Sequence, residues 1–167
     1  MLESLPRKTL AAGCVAGIAG GWTMSQFSRM WNKVSGSTLA SLPYSRLEWE
    51  AASGIAELLT ARVLRQKLSN RDKIKGAAVV HYGTAGAAGA LYATLVPRQI
   101  RSSMWSGALF GLSMWVAGNA LLKGPLAHSR TPGRFTVGTQ AQAIGEHLTY
   151  VITVASFAAL GLSPSRS

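Results

Sequence analysis

Three long stretches of this chain contain no Arg, Lys, Asp or Glu: Thr9 to Ser28, Gly76 to Pro97 and Ser102 to Leu122. A fourth, from about Ala141 to Leu162, is broken only by Glu146. A helix needs about 20 mostly apolar residues to cross the hydrocarbon core of a bilayer, and each stretch reaches about that length. The spacing of charge therefore predicts an all-α, integral membrane four-helix bundle. Its spans lie at about 9–28, 77–96, 103–122 and 141–162, within a single membrane domain over residues 1–167. A soluble protein with Ala-rich buried helices is the alternative, because hydropathy can mistake core helices for spans. Against it, the stretches lack the polar face of a surface helix. Gly and Ala are poor strand formers and period-two alternation is missing, so β structure is not expected.

Composition agrees with this division. Only 14% of the 167 residues are charged, against roughly 25% in an average soluble domain. Lys and Arg number 17 and acids 6, a formal net charge of +11. Few charges of one dominant sign argue against an ordinary soluble enzyme domain and against a disordered tail. Mean hydropathy is only +0.20, because the stretches use Ala and Gly more than Leu and Ile. The single cysteine, Cys14, excludes an intramolecular disulfide framework and a Cys-rich zinc site. Arg7 and Lys8 before a small-residue run, with Gly17-Ile18-Ala19 as a possible cleavage site, resemble a secretory signal. The charge-free run continues through Trp22 and Met24 to Ser28, which favours an uncleaved first span.

Between the first two stretches, Leu47, Ala51, Ile55, Leu58, Leu59 and Val63 recur at helical steps. They predict an amphipathic helix over about 46–67 in the first loop. It either lies in the headgroup region with Trp49 as anchor or packs on the ends of the spans. The long first loop and the third loop carry twelve basic residues, and the other side carries five. That asymmetry places the long loop in the cytoplasm, where a basic segment favours anionic lipid headgroups. Arg7 and Lys8 pull the other way. The same charge could suggest nucleic acid, but the basic residues flank spans and no aromatic-interleaved motif accompanies them.

Lipid gives helices no hydrophobic reason to associate, so close backbone approach has to hold them together. Gly13, Gly17 and Gly21 form a four-residue ridge on the first span. Ala85, Gly89 and Ala93 do so on the second, and Gly107 and Gly111 on the third. Such ridges serve packing within one bundle or homodimerisation. Trp31 and Trp105 fall near span ends, and Trp22 and Trp115 deeper.

Ionisable groups inside spans are functional candidates by default. Here they are His81, Glu146 and His147. With four spans, His81, Glu146 and His147 enter from one side, and Asn119 and Gln26 join the same layer; Tyr82 and Gln142 border it. Three chemistries fit. One is structural hydrogen bonding, with His81 bonded to Glu146. A second is proton handling by the His/Glu pair. The third is a metal site of two His and one Glu, which adjacent residues about 100° apart on a helix make awkward. No Walker loop, Rossmann glycine motif or Ser-His-Asp arrangement occurs. No cofactor, metal or catalytic residue is assigned.

Several segments of the C-terminal half resemble the YagU-like family of bacterial inner-membrane proteins. They are His81-Tyr82 with the Gly/Ala run to Gly89-Ala90-Leu91-Tyr92, Trp105-Ser106-Gly107-Ala108 with Gly111, and Ile144-Gly145-Glu146-His147-Leu148. The likeness covers about residues 77–160. It implies a helical inner-membrane protein and no particular activity. The expected function is that of a non-enzymatic multi-pass membrane protein whose polar layer is structural or proton-responsive. A small transporter or channel subunit, whose homo-oligomer encloses a pathway past His81 and Glu146, and an accessory scaffold of a larger membrane complex are the alternatives.

Overall fold

The computed structural model describes residues 7–37, 44–63, 65–123 and 136–159, with the side chains of residues 46, 47 and 118–123 left out. Among these the chain forms helices α1 (Arg7–Val34), α2 (Arg46–Val63), α3 (Asn70–Leu95), α4 (Met104–Lys123) and α5 (Val137–Ala159). The all-α class is therefore established. The four expected spans fall on α1, α3, α4 and α5, with shifted ends. Among the described residues no helix is long and apolar enough to cross a membrane. That the four cross a bilayer thus does not follow from their composition.

Local chemistry sets the ends. Gly36 takes a left-handed φ of +64°, and the Ser37 amide bonds back to Asn32 O at 3.0 Å. This glycine-terminated turn stops α1. Ser45 caps α2, its Oγ accepting the Glu48 amide at 3.3 Å. Ser69 caps α3, accepting the Asp72 amide at 3.2 Å. Charged Arg71 to Lys75, expected to lie ahead of the span, form the first turns of α3 instead. The turn between α3 and α4 is closed by the Arg101 guanidinium, which donates to Val96 O at 2.8 Å.

Helix α1 runs antiparallel between α3 and α5, α4 packs on α5, and α2 packs on α3. The glycine ridges make these contacts inside one chain. A Cβ on Gly13 would lie 2.6 Å from Ala93 Cβ, and one on Gly21 would lie 2.9 Å from Ala85 Cβ. A Cβ on Gly89 would strike Gly13 O and the Gly17 backbone. On the other flank, Gly111 admits Val151, whose Cγ1 would be 2.6 Å from an added Cβ. Homodimerisation is not what these ridges do in the chain: their partners are α3 facing α1, and α5 facing α4.

Helix α2 ends at Val63, before the expected 67. Ala52 and Ala56 are buried, Ala56 filling the space over Gly76, and Glu57 pairs with Lys73 at 2.6 Å. These contacts pack α2 on the N-terminal part of α3, while Leu58, Leu59 and Val63 of its expected apolar face stay exposed. Trp49 is half-buried with its ring 6.0 Å from that of Tyr44.

Candidate functional site: a buried His/Glu layer beside a cavity

The stripe that begins at Gly13, Gly17 and Gly21 continues along α1 as Ser25, Ser28 and Asn32, which keeps all six on one face. The upper half is polar and fully buried, with Ser25, Ser28 and Asn32 at most 1% exposed. It faces His81 on α3 and Glu146 on α5. Glu146 is 1% exposed and accepts three hydrogen bonds. Ser28 Oγ donates to Oε1 at 2.6 Å, Gln142 Nε2 to Oε1 at 3.3 Å, and Ser45 Oγ to Oε2 at 2.8 Å. Gln142 also donates to Asn32 Oδ1 at 3.1 Å, and Asn32 Nδ2 to Tyr44 O at 2.8 Å. Each donor is neutral, so the carboxylate is solvated without being neutralised.

His81 has separate partners. Its Nε2 lies 3.0 Å from Gly21 O and 3.2 Å from Ser25 Oγ, and its Nδ1 meets the Glu48 carboxylate. A carbonyl oxygen only accepts, so Nε2 carries a proton. A carboxylate also only accepts, so a second proton is held between Nδ1 and Glu48. The pair is therefore an imidazolium–carboxylate or its neutral tautomer, and its net charge is zero either way. The side chain of Glu48 is 13% exposed; its Oε1 meets His81, and its Oε2 is buried without a hydrogen bond. The nearby Tyr44 phenol is pushed up to about 12 by burial first and the Glu48 carboxylate second, so it stays protonated at neutral pH.

A cavity of about 270 Å³ opens beside this layer. Ser45, Glu48, His81, Glu146 and His147 form its polar side, and Met24, Ala88, Met114 and Trp115 are among its apolar walls. All five helices or their caps contribute.

The layer differs from expectation in three respects. His81 and Glu146 do not bond each other; Ser25 and Gly21 take one, Ser28 and Ser45 the other. Gln26 is half-buried and is not among these partners; its neighbours Ser25 and Ser28 hold the positions facing the layer. His147 turns its Nδ1 to Ala143 O of its own helix, at 2.8 Å, and reaches the cavity without joining the network. The side chain of Asn119 lies outside the described residues. Among the described residues no group of three or more His, Cys, Asp or Glu could hold a metal ion.

Sequence reasoning missed Ser45 and Glu48, although a signal was present. Ser45-Arg46-Leu47-Glu48 has the Ser-x-x-Glu form of a helix-capping box. Here Ser45 caps and also donates to Glu146, while Glu48 turns toward His81. Comparison with protein-family models, curated proteins and solved structures finds no match.

Proposed function

We propose that this chain is a non-enzymatic, membrane-embedded helical bundle whose His81–Glu48 pair and Glu146 form a proton-responsive binding site, as in a small transporter or channel subunit. The observation that carries the membrane reading is the inverted placement of side chains. Large apolar residues point outward: Val79 and Leu95 on α3, Leu109, Leu112 and Val116 on α4, Ile144, Leu148 and Ile152 on α5. Gly, Ala, Ser, Asn, His and Glu point inward, together with Tyr92, Tyr150, Val151 and Val154. In water the outward residues would make a long exposed apolar surface; against lipid they are correctly solvated. The modest hydropathy of the helices has a related origin, because an average over a helix counts its inward Gly and Ala, and on α1 Ser25, Ser28 and Asn32, together with its outward apolar residues.

In this reading the cytoplasmic side is the end carrying the long loop and α2, by the excess of basic residues there, and anionic headgroups favour that surface. An inner-membrane location and kinship with the YagU-like family belong to the same proposal. The cavity beside His81 favours a binding or transport role over a purely structural layer, since a structural layer needs no open volume. The test is emission from Trp115 in a chain whose other tryptophans are Phe, titrated between pH 5 and 8. A pH-dependent change that Glu48→Gln removes is expected. An unchanged titration in that variant, or none in the parent, rejects the proton-responsive site.

An accessory scaffold role has one observation in its favour. Helix α4 packs mainly on α5 and exposes Met104, Trp105 and Leu109, a surface that another membrane helix could cover. Stoichiometric co-purification of a partner with the solubilised chain would support it.

A further inference from the structure

We propose that the cavity binds a lipophilic monocation, an organic ammonium with one positive charge and a small apolar body; this rests on the reading of the cavity as a binding site. The charge inventory carries the proposal. Of six acids in a chain with 17 basic residues, two, Glu48 and Glu146, line this one cavity. Among the described side chains no Lys or Arg lines it. The basic groups that do are imidazoles: His81 from α3 and His147 from α5.

The hydrogen bonds fix the balance. The Glu48–His81 pair shares a proton and is neutral as a unit. His147 uses Nδ1–H on Ala143 O, which needs only the neutral ring. Glu146 has three partners, none of them charged; one of them, Ser28 Oγ, has a single proton and also lies 3.0 Å from Met24 O, so the carboxyl is either ionised or itself the donor to Ser28. A buried carboxylate without a charged partner is stable only when paired or protonated. A cation in the cavity supplies the pairing; in its absence a proton does, and binding then releases that proton. Glu48 Oε1 is taken by His81, and Oε2, buried without a hydrogen bond, offers a second point of attraction beside the first. Met24, Met114 and Trp115 line the same cavity and are apolar and polarisable. Indole and thioether groups suit an alkylammonium or arylammonium group. A volume of about 270 Å³ lies just below the range of ligand pockets, roughly 300–1,000 Å³, which restricts the guest to a single ring or a short branched chain.

The probe is benzyltrimethylammonium, whose charge does not vary with pH, set against its neutral isostere neopentylbenzene. Both are titrated by calorimetry into the full chain in lipid nanodiscs, with empty discs subtracted. Saturable binding of the cation is expected, with the isostere at least tenfold weaker. Glu146→Gln and Glu48→Gln should each weaken the cation at least tenfold, and Ala88→Met should weaken both guests by filling the cavity. If Glu146→Gln fails to fold, Glu48→Gln and the isostere comparison on the unaltered chain still decide. Equal binding of the two guests, blocked by Ala88→Met, overturns the cation while leaving the cavity as a binding site. Saturation by neither guest overturns both.

Discussion

At the scale of single residues, the interior of this protein is made of groups that must find partners. Glu146 illustrates the rule: buried at 1% exposure, it is the common acceptor for Ser28, Ser45 and Gln142. Replacing it with Leu leaves three buried donors facing an apolar side chain. A loss of about 1–3 kcal/mol is expected, the cost of leaving a buried polar group unsatisfied. Glu146→Gln keeps an acceptor at Oε1 and should cost less. Thermal unfolding of the solubilised variants measures both; equal midpoints for Leu and Gln would show that the network contributes nothing. His81, Glu146 and His147 were legible in the sequence because ionisable residues stand out in charge-free stretches. Their partners were not. Ser25 and Ser28 are ordinary small residues until the helix register shows that they continue the Gly13-Gly17-Gly21 face. Glu48 looked like one charge among several on an amphipathic helix, and only the docking of α2 against α3 brings it to His81.

At the scale of helices, contact is set by the absence of side chains. Gly89 lies where the backbones of α1 and α3 meet, so Gly89→Leu should force them apart and destabilise by about 1–3 kcal/mol or more, as overpacked cores do. Gly54 on α2 has nothing within 4 Å of an added Cβ. There Gly→Ala should stabilise by about 0.5–1 kcal/mol, through backbone entropy alone. Unfolding of the two variants side by side checks the contrast; similar effects would mean that the close approach of α1 and α3 is not what holds the bundle. The helices themselves were legible from charge-free length. Their ends were less so, because a span is bounded by lipid and a helix by its caps. Asn70 to Lys75 illustrate the difference: mostly charged and outside any apolar stretch, yet continuous with α3. The ridges were also legible, but a ridge does not state its partner, and the pairing of α1 with α3 and of α4 with α5 required the three-dimensional arrangement.

At the scale of the whole molecule, the claim on which the rest depends is that the outward apolar surface meets lipid. A nitroxide attached at Leu109, Val116 or Ile152, in a chain with Cys14→Ser and reconstituted in vesicles, tests it through collisions with oxygen and with a water-soluble nickel chelate. Oxygen, which concentrates in hydrocarbon, should dominate at all three positions, while the chelate should dominate at Arg62, exposed on α2. Chelate collisions at Leu109, Val116 and Ile152 as frequent as at Arg62 would place those side chains in water and contradict the membrane-embedded bundle.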